Sequence, residues 1–195
     1  MTIDELIDGC TKAKKNAQEY LYKKYSTRLY GVCLRYAGNR TEAQDVLQDT
    51  LVKIFKNIHK LNCREEKPFY LWMHKIAVNT ALNYMRDNLK NNRSLDLVEE
   101  ESEFRDDSVD DTYSFYDNLL EIIDTAKLLC FIQEMPCGYR TVFNLYAIEN
   151  HTHKEIAEEL NITVNTSKTQ LYKARKMLSQ RINETIDVKK IRMVI

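Results

Sequence analysis

The chain has 195 residues, 44% of them hydrophobic, which is enough for one large domain or two small ones with real cores. Its 29 basic and 29 acidic residues give a formal net charge of zero, which argues against a DNA binder that relies on general attraction to phosphates. Only four glycines and two prolines interrupt the chain, so we predict an all-α fold.

The first 92 residues are predicted to form a helical domain. Thr41 and Gln44 have the spacing of a capping box, in which a hydroxyl and an amide each satisfy a free backbone N–H. Pro68 stands where a first helical residue is expected, because its missing N–H costs nothing there. The predicted helices are 3–9, 17–36, 41–59 and 68–89, with a polar loop at 60–67.

An acidic segment separates this domain from a second one. Residues 93–117 lose helical periodicity, and from Asp96 onward they carry ten acids against one base, which predicts a flexible linker. Apolar spacing returns at Asn118, and Met135–Pro136 is expected to stop a helix. The second helical domain is predicted over 118–184, and a helix is predicted within it at 139–149. The remaining residues, 185–195, form a tail that is not assigned to an element.

The second domain is predicted to end in a helix-turn-helix. Thr152 and Glu155 have the spacing of a capping box, so a short helix is expected from His153. Asn161 follows where a helix stop needs a residue that tolerates positive φ, and Thr163 can cap a second helix. The predicted inward residues are Ile156, Ala157 and Leu160, then Ile162 in the turn, then Leu171, Ala174 and Leu178.

The outward face of that second helix is polar and basic. Between Thr163 and Arg181 there are five basic residues and no acid. Amides and hydroxyls can read base edges in a DNA major groove, while cationic groups pair with phosphates. A solvated helix packed on its neighbour is the alternative, and the helix-turn-helix context favours DNA. The outward residues are Asn165, Thr166, Lys168, Thr169, Tyr172, Lys173 and Lys176.

Another polar stripe lies on the predicted helix at 41–59. It faces away from a predicted buried side formed by Leu47, Leu51, Ile54 and Ile58. Its carboxylates suit a protein surface that bears arginine, because carboxylates accept paired, charge-assisted hydrogen bonds. An ordinary solvated stripe is the alternative. The stripe consists of Asp45, Gln48, Asp49, Val52 and Lys56.

The predicted helix at 68–89 combines aromatic and amide residues. Such residues at a helix edge can stack on single-stranded bases and hydrogen-bond with them, although aromatic side chains more often belong to a core. The predicted core face is Phe69, Trp72, Met73 and Ile76. The polar row is Asn79, Asn83 and Arg86, with His74 and Lys75 nearby.

No catalytic or metal site is predicted. The sequence does not pair any of the four histidines with residues that would complete a catalytic set, which needs a nucleophile, a general base and a residue that orients the base. Cys130, Cys137, His151 and His153 have a spacing that fits no common zinc pattern, and no glycine-rich phosphate loop is present. We therefore expect no enzyme activity, no cofactor and no small-molecule substrate.

The location is predicted to be the cytoplasm. The amino-terminal residues are acidic and lack an apolar signal segment, and no run approaches the roughly 18 apolar residues that cross a bilayer. The five cysteines are odd in number, far apart and without a C-x-x-C pair, which is typical of reduced thiols.

Three stretches carry a resemblance to a known family. They are YLYKKYSTRLYGVCLRYAGNRTEAQDVLQDTLVKIFKNI, PFYLWMHKIAVNTALNYMR and MPCGYRTVFNLYAIENHTHKEIAEELNITVNTSKTQLYKARKML. In them the chain resembles the sigma factors of bacterial RNA polymerase, and among these the compact extracytoplasmic-function (ECF) group. The D-V-L-Q-D run at 45–49 and the W-x-x-x-I-A-x-N pattern at 72–79 are specific in combination, whereas a helix-turn-helix alone is not.

The resemblance implies a bacterial transcription initiation factor that binds core RNA polymerase and directs it to promoters. The first domain would grip the clamp helices of the largest polymerase subunit and would recognise and open the minus-10 element, holding a flipped base without ATP hydrolysis. The polymerase-binding residues implied are Asp45, Gln48, Asp49 and Lys56. The minus-10 residues implied are Asn62, Arg64, His74, Lys75, Asn79, Asn83 and Arg86.

The second domain, by the same resemblance, would read the minus-35 element, with the polymerase flap as a further contact. The linker would run toward the RNA exit path. An anti-sigma factor, often membrane-anchored, would silence the protein. The minus-35 residues implied are Asn165, Thr166, Lys168, Thr169, Gln170, Tyr172, Lys173 and Arg175.

Three residues depart from the family's common pattern. Asn161 stands where Gly is common, a mild change because Asn tolerates positive φ. Ser167 stands where Val is common and is expected to weaken the packing of the recognition helix. Gln170 stands where Arg is common and is expected to remove a phosphate or base contact, so the sequence does not predict the promoter element.

Two other classes of function stay open from the residues alone. The first is a one-component regulator, whose helix-turn-helix would bind operator DNA without polymerase, typically as a dimer. The second is a protein-binding adaptor whose acidic linker is the functional element. A mobility-shift assay with and without core polymerase separates the three classes.

Overall fold

Helices account for all regular structure in the residues that the computed structural model describes, 1–91 and 124–192, which confirms the predicted all-α fold. The chain divides into two compact units, Met1–Leu95 and Asp96–Ile195. The predicted linker at 93–117 and the predicted start of the second domain at Asn118 lie outside the described residues. The helices are α1 (Ile3–Thr11), α2 (Lys15–Tyr36), α3 (Arg40–Asn57), α4 (Glu66–Asn91), α5 (Thr125–Glu134), α6 (Cys137–Phe143), α7 (His153–Leu160) and α8 (Val164–Arg192), with a 3-10 turn at Ile58–Lys60 and a π-helical turn at Asn144–Ile148.

The first unit begins with a capped helix that crosses α2 closely. Thr2 Oγ1 accepts from the Glu5 N–H at 3.2 Å, and Glu5 Oε2 accepts from the Thr2 N–H at 2.8 Å, so a capping box begins α1. The chain turns at Ala13, whose φ is 52°. A Cβ added at Gly9 would lie 2.6 Å from the Cβ of Ala17. The crossing therefore requires a glycine at this position.

The start of α3 differs from the prediction. The capping box predicted at 41–44 is wrong, because the helix already includes Thr41 and its N-cap is Asn39. Asn39 Oδ1 accepts from the Glu42 N–H at 2.9 Å, and Glu42 Oε2 accepts from the Gly38 N–H at 3.0 Å. Asn is among the strongest N-cap residues, so it determines where the helix starts.

Replacing Asn39 with Ala should lower the free energy of unfolding of the first unit by about 1 kcal/mol, because the Glu42 N–H loses its acceptor. Replacing Thr41 with Ala should have a much smaller effect. The single tryptophan of the chain, Trp72, lies in this unit, so its fluorescence during urea unfolding measures the change. If Asn39→Ala and Thr41→Ala lowered the free energy of unfolding by equal amounts, that result would contradict a cap at Asn39.

Helices α2, α3 and α4 pack on one another, and α1 packs on α2 and on the 3-10 turn. The predicted buried side of α3 is confirmed, since Leu47, Leu51, Ile54 and Ile58 are all buried. Burial of this side leaves the opposite side of α3 at the surface. The largest fully buried side chains of the unit are Leu6, Leu21, Tyr25, Leu29, Tyr36, Ile54, Ile58, Phe69, Met73 and Leu82.

Helix α4 corrects two predictions. It begins at Glu66, so Pro68 is the third helical residue and not the first; its missing N–H still falls in the first turn, where no intrahelical acceptor exists. Phe69 and Met73 are fully buried as predicted, whereas Trp72 and Ile76 are only half-buried. The aromatic edge of α4 is therefore partly open to solvent.

The second unit packs α6 and α7 on α8. Helix α5 ends at Glu134, as the predicted stop at Met135–Pro136 requires. The buried Arg140 Nη1 donates to the Gln133 carbonyl at 2.7 Å and to the Met135 carbonyl at 3.3 Å, which satisfies backbone acceptors at the end of α5. The single helix predicted at 139–149 is instead two elements, α6 and the π-helical turn. Helix α8 continues through the unassigned tail as far as Arg192.

Within the described ranges no helix is long and apolar enough to cross a membrane.

Candidate protein and nucleic-acid interfaces

The predicted stripe on α3 lies at the surface of the first unit. Asp45, Gln48, Asp49 and Lys56 are all exposed, and the Val52 side chain is 49% exposed among them. Carboxylate and amide groups are thus grouped at the amino-terminal half of the stripe, with one apolar residue beyond them. Such a surface can accept charge-assisted hydrogen bonds from a partner that bears arginine.

Helix α4 presents an exposed polar row. Lys75, Asn79, Asn83 and Arg86 are exposed at i, i+4, i+8 and i+11, so they share one side of the helix. Arg86 Nη2 donates to Asn83 Oδ1 at 2.8 Å, which orients the amide. Leu71, one turn before Lys75, is 54% exposed. The row combines cations and amides, the groups that contact phosphates and base edges, and Leu71 adds an apolar residue next to it.

The loop between the 3-10 turn and α4 carries two further predicted residues. Asn62 and Arg64 are both exposed. Arg64 Nε lies 3.9 Å from Asp4 Oδ1 of α1, a long and solvated ion pair that contributes little to stability. Both side chains can therefore reach a ligand at the surface.

His74, which the prediction places near the polar row and among the minus-10 residues, faces a different side of α4 from that row. It is half-buried, and its ring centroid lies 5.9 Å from that of Tyr70. The guanidinium carbon of Arg28, from α2, lies 3.7 Å from the centre of the Tyr70 ring, a cation–π distance. His74 thus packs toward α2, because it is one residue, or about 100° of helix rotation, away from Lys75. The sequence carries no signal for this Arg28–Tyr70 contact, which joins two distant helices.

Helix α2 also anchors the start of α4. Lys24 Nζ lies 2.9 Å from Glu66 Oε1, and the Tyr25 hydroxyl donates to the same oxygen at 3.4 Å. The hydrogen bond from Lys24 lowers the pKa of the Glu66 carboxyl, and the same bond raises the pKa of Lys24. These contacts hold the end of the 61–65 loop next to α2.

The predicted helix-turn-helix is present in the second unit. Thr152 Oγ1 accepts from the Glu155 N–H at 3.3 Å, and Glu155 Oε2 accepts from the Thr152 N–H at 2.7 Å. Asn161 ends α7 in the left-handed region, with φ 54° and ψ 50°. Thr163 Oγ1 then accepts from the Thr166 N–H at 3.0 Å. The two capping predictions and the stop at Asn161 are confirmed.

Most of the predicted outward residues of α8 reach the surface. Asn165 is exposed, and Tyr172 is 55% exposed. Burial of Leu171, Ala174 and Leu178 turns the opposite side of the helix outward, as predicted. Lys176 is also exposed, and the remaining outward residues, all half-buried, are Thr166, Lys168, Thr169 and Lys173.

Gln170 and Arg175 depart from the predicted DNA-facing set. Gln170 is 8% exposed, and its side-chain amide lies against Gly138 of α6, 3.2 Å from where a Cβ would be. Arg175 is half-buried, with its guanidinium carbon 5.7 Å from the centre of the Tyr146 ring. Helical spacing explains Gln170, which belongs to the buried row of Ser167, Gln170, Leu171, Ala174 and Leu178 at i, i+3, i+4, i+7 and i+11.

Ser167 joins α8 to α7. It is fully buried, and its hydroxyl lies 2.9 Å from Nδ1 of His153. The His153 ring stacks on Tyr146 of the π-helical turn at 4.5 Å between centroids. Burial lowers the pKa of His153, and the cationic charges of Lys168 and Arg175 lower it further. His153 is therefore neutral at pH 7.

The stability of the second unit should depend on pH through His153. Its pKa lies below the ordinary value of 6.5 in the folded chain, so its contribution is fully present above pH 6.5 and is lost as the pH falls through the folded pKa. A proton NMR titration should show a His153 midpoint below 6.5. Replacing His153 with Phe should remove the part of the decrease in the free energy of unfolding that His153 causes at low pH. If the pH dependence of unfolding is the same in this variant as in the wild type, groups other than His153 are responsible for it.

Comparisons with known families agree with this arrangement of two units. The model of sigma-70 region 2 matches residues 21–90, in the first unit. The model of sigma-70 region 4 matches residues 125–178, in the second unit. Together they cover more than half of the chain.

Relatives match along nearly the whole chain. The RNA polymerase sigma-H factor of Pseudomonas aeruginosa is 27% identical over 178 residues, covering 90% of this chain and 91% of the relative. The ECF RNA polymerase sigma-E factor of Haemophilus influenzae is 27% identical over 190 residues, covering 93% and 96%. Among solved structures, the sigma factor RpoE in complex with the anti-sigma factor NepR, from Bartonella quintana, aligns with a TM-score of 0.46 at 17% identity, over 87% of this chain and 98% of that one.

The two matched regions, each on a unit with the corresponding exposed helix faces, define a sigma factor of the sigma-70 family. Such proteins are initiation factors without catalytic activity, so this chain is not an enzyme. More narrowly, the chain belongs to the ECF group. It binds core RNA polymerase and directs it to promoter DNA.

Proposed function

We propose that the predicted first domain, residues 1–92 within the first unit, binds core RNA polymerase through the α3 stripe. Asp45, Gln48 and Asp49 would accept hydrogen bonds from basic groups of the clamp helices, and Lys56 would contact the far end of the same surface. The exposure of all four side chains supports this assignment, as does the position of the stripe opposite the buried side of α3. Charge-assisted bonds of this kind favour one partner and one orientation.

The loop and α4 would read and open the minus-10 element. Lys75, Asn79, Asn83 and Arg86 offer cations and amides along one helix side, and Asn62 and Arg64 extend that chemistry into the loop. The half-buried Trp72 gives an aromatic edge beside them, on which an unpaired base can stack. Binding free energy to the single strand would then drive melting without ATP. His74 is left out of this surface because it packs on Tyr70.

The predicted second domain, residues 118–184 within the second unit, would read the minus-35 element with the outward side of α8. The predicted linker, residues 93–117, would join the two domains. Asn165, Thr166 and Thr169 would contact base edges, whereas Lys168 and Lys173 would contact phosphates. Tyr172 would pack against the DNA. Gln170 and Arg175 are not proposed as contacts, since both side chains pack against this unit's own residues.

The observation that carries the proposal is that the two sigma-70 models fall one on each unit, and each unit exposes a helix face of suitable chemistry. The net charge of zero supports it as well. A chain with so little excess positive charge gains little affinity from phosphates alone, so it would read promoters when held on polymerase, where each reader acts at raised effective concentration.

In-vitro transcription tests the proposal. Purified chain and core polymerase on fragmented bacterial genomic DNA should initiate at defined positions, and mapping of the starts should yield paired minus-35 and minus-10 elements. A parallel mobility-shift assay separates the alternatives: a shift by the chain alone at physiological salt would favour a one-component regulator, and no shift with or without polymerase would favour an adaptor.

We also propose that the protein works in the bacterial cytoplasm and is silenced by an anti-sigma factor that covers the α3 stripe. The exposed Val52 offers such a partner apolar contact within the stripe. A candidate captured from cell membranes with the wild-type chain, but not with an Asp49→Lys variant, should block transcription when purified and added back. Capture without inhibition would contradict this assignment.

A further inference from the structure

We propose that Ser167 and His153 are positioning residues for promoter reading: their contact sets the orientation of α8 against α7, and thereby which bases the outward side of α8 can reach. The inference rests on the proposed function of α8 as the minus-35 reader. It reverses the expectation that a serine at position 167 weakens the packing of this helix.

The contact joins the two helices of the helix-turn-helix at their amino-terminal ends. Ser167 lies in the first turn of α8 and His153 is the first residue of α7. Ser167 Oγ and His153 Nδ1 are 2.9 Å apart, and the serine is fully buried. A hydrogen bond has a narrow range of length and angle, so it restricts rotation of α8 about its own axis more than an apolar contact would.

A third element supports the pair. Tyr146, from the π-helical turn, stacks on the His153 ring at 4.5 Å and lies under the Arg175 guanidinium at 5.7 Å. Arg175 is two turns along α8 from Ser167. Tyr146 therefore contacts α7 directly and α8 through Arg175, and π-helical turns are often found at functional sites.

The position of Ser167 links this contact to DNA reading. Thr166 and Lys168, two proposed DNA contacts, are its chain neighbours, and Gln170 packs inward one turn later. A rotation of α8 that released Ser167 would move the neighbouring side chains with it, because they share one rigid helix. A small change in their placement alters which base edges accept their hydrogen bonds.

The chemistry of the pair allows a sharp test. Replacing Ser167 with Val leaves the imidazole nitrogen facing a methyl group, so a half-buried polar atom loses its partner. Replacing His153 with Phe keeps a ring against Tyr146, and the serine hydroxyl can turn to the carbonyl of Thr163, four residues earlier. The double variant removes both polar groups together, which is close to neutral when shape is kept.

The measurement is initiation by the full chain with core polymerase on a promoter library randomised at each minus-35 position. Ser167→Val should lower initiation on the preferred element about five- to tenfold and should change the base preference. His153→Phe should lower initiation by about twofold. The double variant should return to within about twofold of wild type and should regain the wild-type preference.

A matched control separates positioning from folding. Thr141 is also a buried hydroxyl residue of the second unit, and its Oγ1 donates to the Cys137 carbonyl at 2.8 Å within α6. Thr141→Val removes a buried hydrogen bond that lies within α6 and does not join α7 to α8. It should lower initiation on all library members by the same factor and leave the base preference unchanged.

Two results would overturn the proposal. One is a Ser167→Val variant with the wild-type preference, like the Thr141 control; the other is a double variant whose loss equals the product of the two single losses. A wild-type chain that gives no defined start sites would instead contradict the proposed function, and the positioning role with it.

Discussion

Replacing Asp49 with Lys should weaken binding of the chain to core RNA polymerase about 100-fold, the effect of removing one partner of a hydrogen-bonded charge pair at an interface and adding a like charge. Asp49 is exposed in the middle of the α3 stripe, so its carboxylate is available to a partner. Exposed substitutions of this kind usually change the free energy of unfolding by less than about 0.5 kcal/mol. The measurement is a titration of labelled chain with core polymerase, together with urea unfolding followed by Trp72 fluorescence.

Glu19→Lys provides the matched charge reversal in the same unit. Glu19 is exposed on α2 and loses only a 3.9 Å ion pair with Lys15. The affinity of the Glu19→Lys variant for core polymerase should stay within about threefold of wild type, because an exposed ion pair contributes little to stability. Unchanged co-purification of the Asp49 variant, or an equal loss in both variants, would remove the stripe from the proposed interface.

Replacing Lys168 and Lys173 together with Ala should reduce the affinity of the polymerase-bound chain for a cognate promoter about tenfold at moderate salt, because two phosphate contacts and the release of their counterions are lost. The slope of log affinity against log salt concentration should become shallower by about two. The loss should be similar for every minus-35 sequence, since phosphates carry no base identity.

Lys127→Ala controls for the removal of positive charge. Lys127 is an exposed residue of α5 in the same unit, 6.0 Å from the Phe131 ring of its own helix, and it is not a proposed DNA contact, so the salt slope should not change. An Asn165→Ala variant should differ from the double lysine variant and from Lys127→Ala. It should relax the base preference without changing the slope of log affinity against log salt concentration. A salt slope that stays at the wild-type value in the double lysine variant would mean that this side of α8 does not contact the DNA backbone.

Local rules read from the sequence were enough for most of the secondary structure. The caps at Thr152 and Thr163 and the stop at Asn161 depend on hydrogen bonds between residues at most four positions apart, so their spacing alone predicts them. The buried side of α3 follows from helical periodicity for the same reason. The start predicted at Thr41 was wrong because Asn39, a stronger N-cap two residues earlier, caps the helix instead.

The contacts between helices were decided by the tertiary structure. Arg28 lies over the Tyr70 ring, and His74 packs beside that ring and not in the polar row of α4. No spacing within α4 could predict this, because the partner is about forty residues earlier in the chain.

Ser167 and Gln170 show the same limit within α8. From the sequence, Ser167 is expected to weaken the packing of α8, and Gln170 is included among the implied DNA contacts. Packing places one against His153 and the other against Gly138, since a helix-turn-helix must bury one side of its second helix and satisfy every polar group enclosed there. The sequence by itself determined the all-α class, the capped starts of α7 and α8, the stop at Asn161 and the class of protein, because those depend on near neighbours and shared motifs. Which polar side chains face outward was decided only when the helices packed, because burial and hydrogen bonding depend on neighbours distant in the chain.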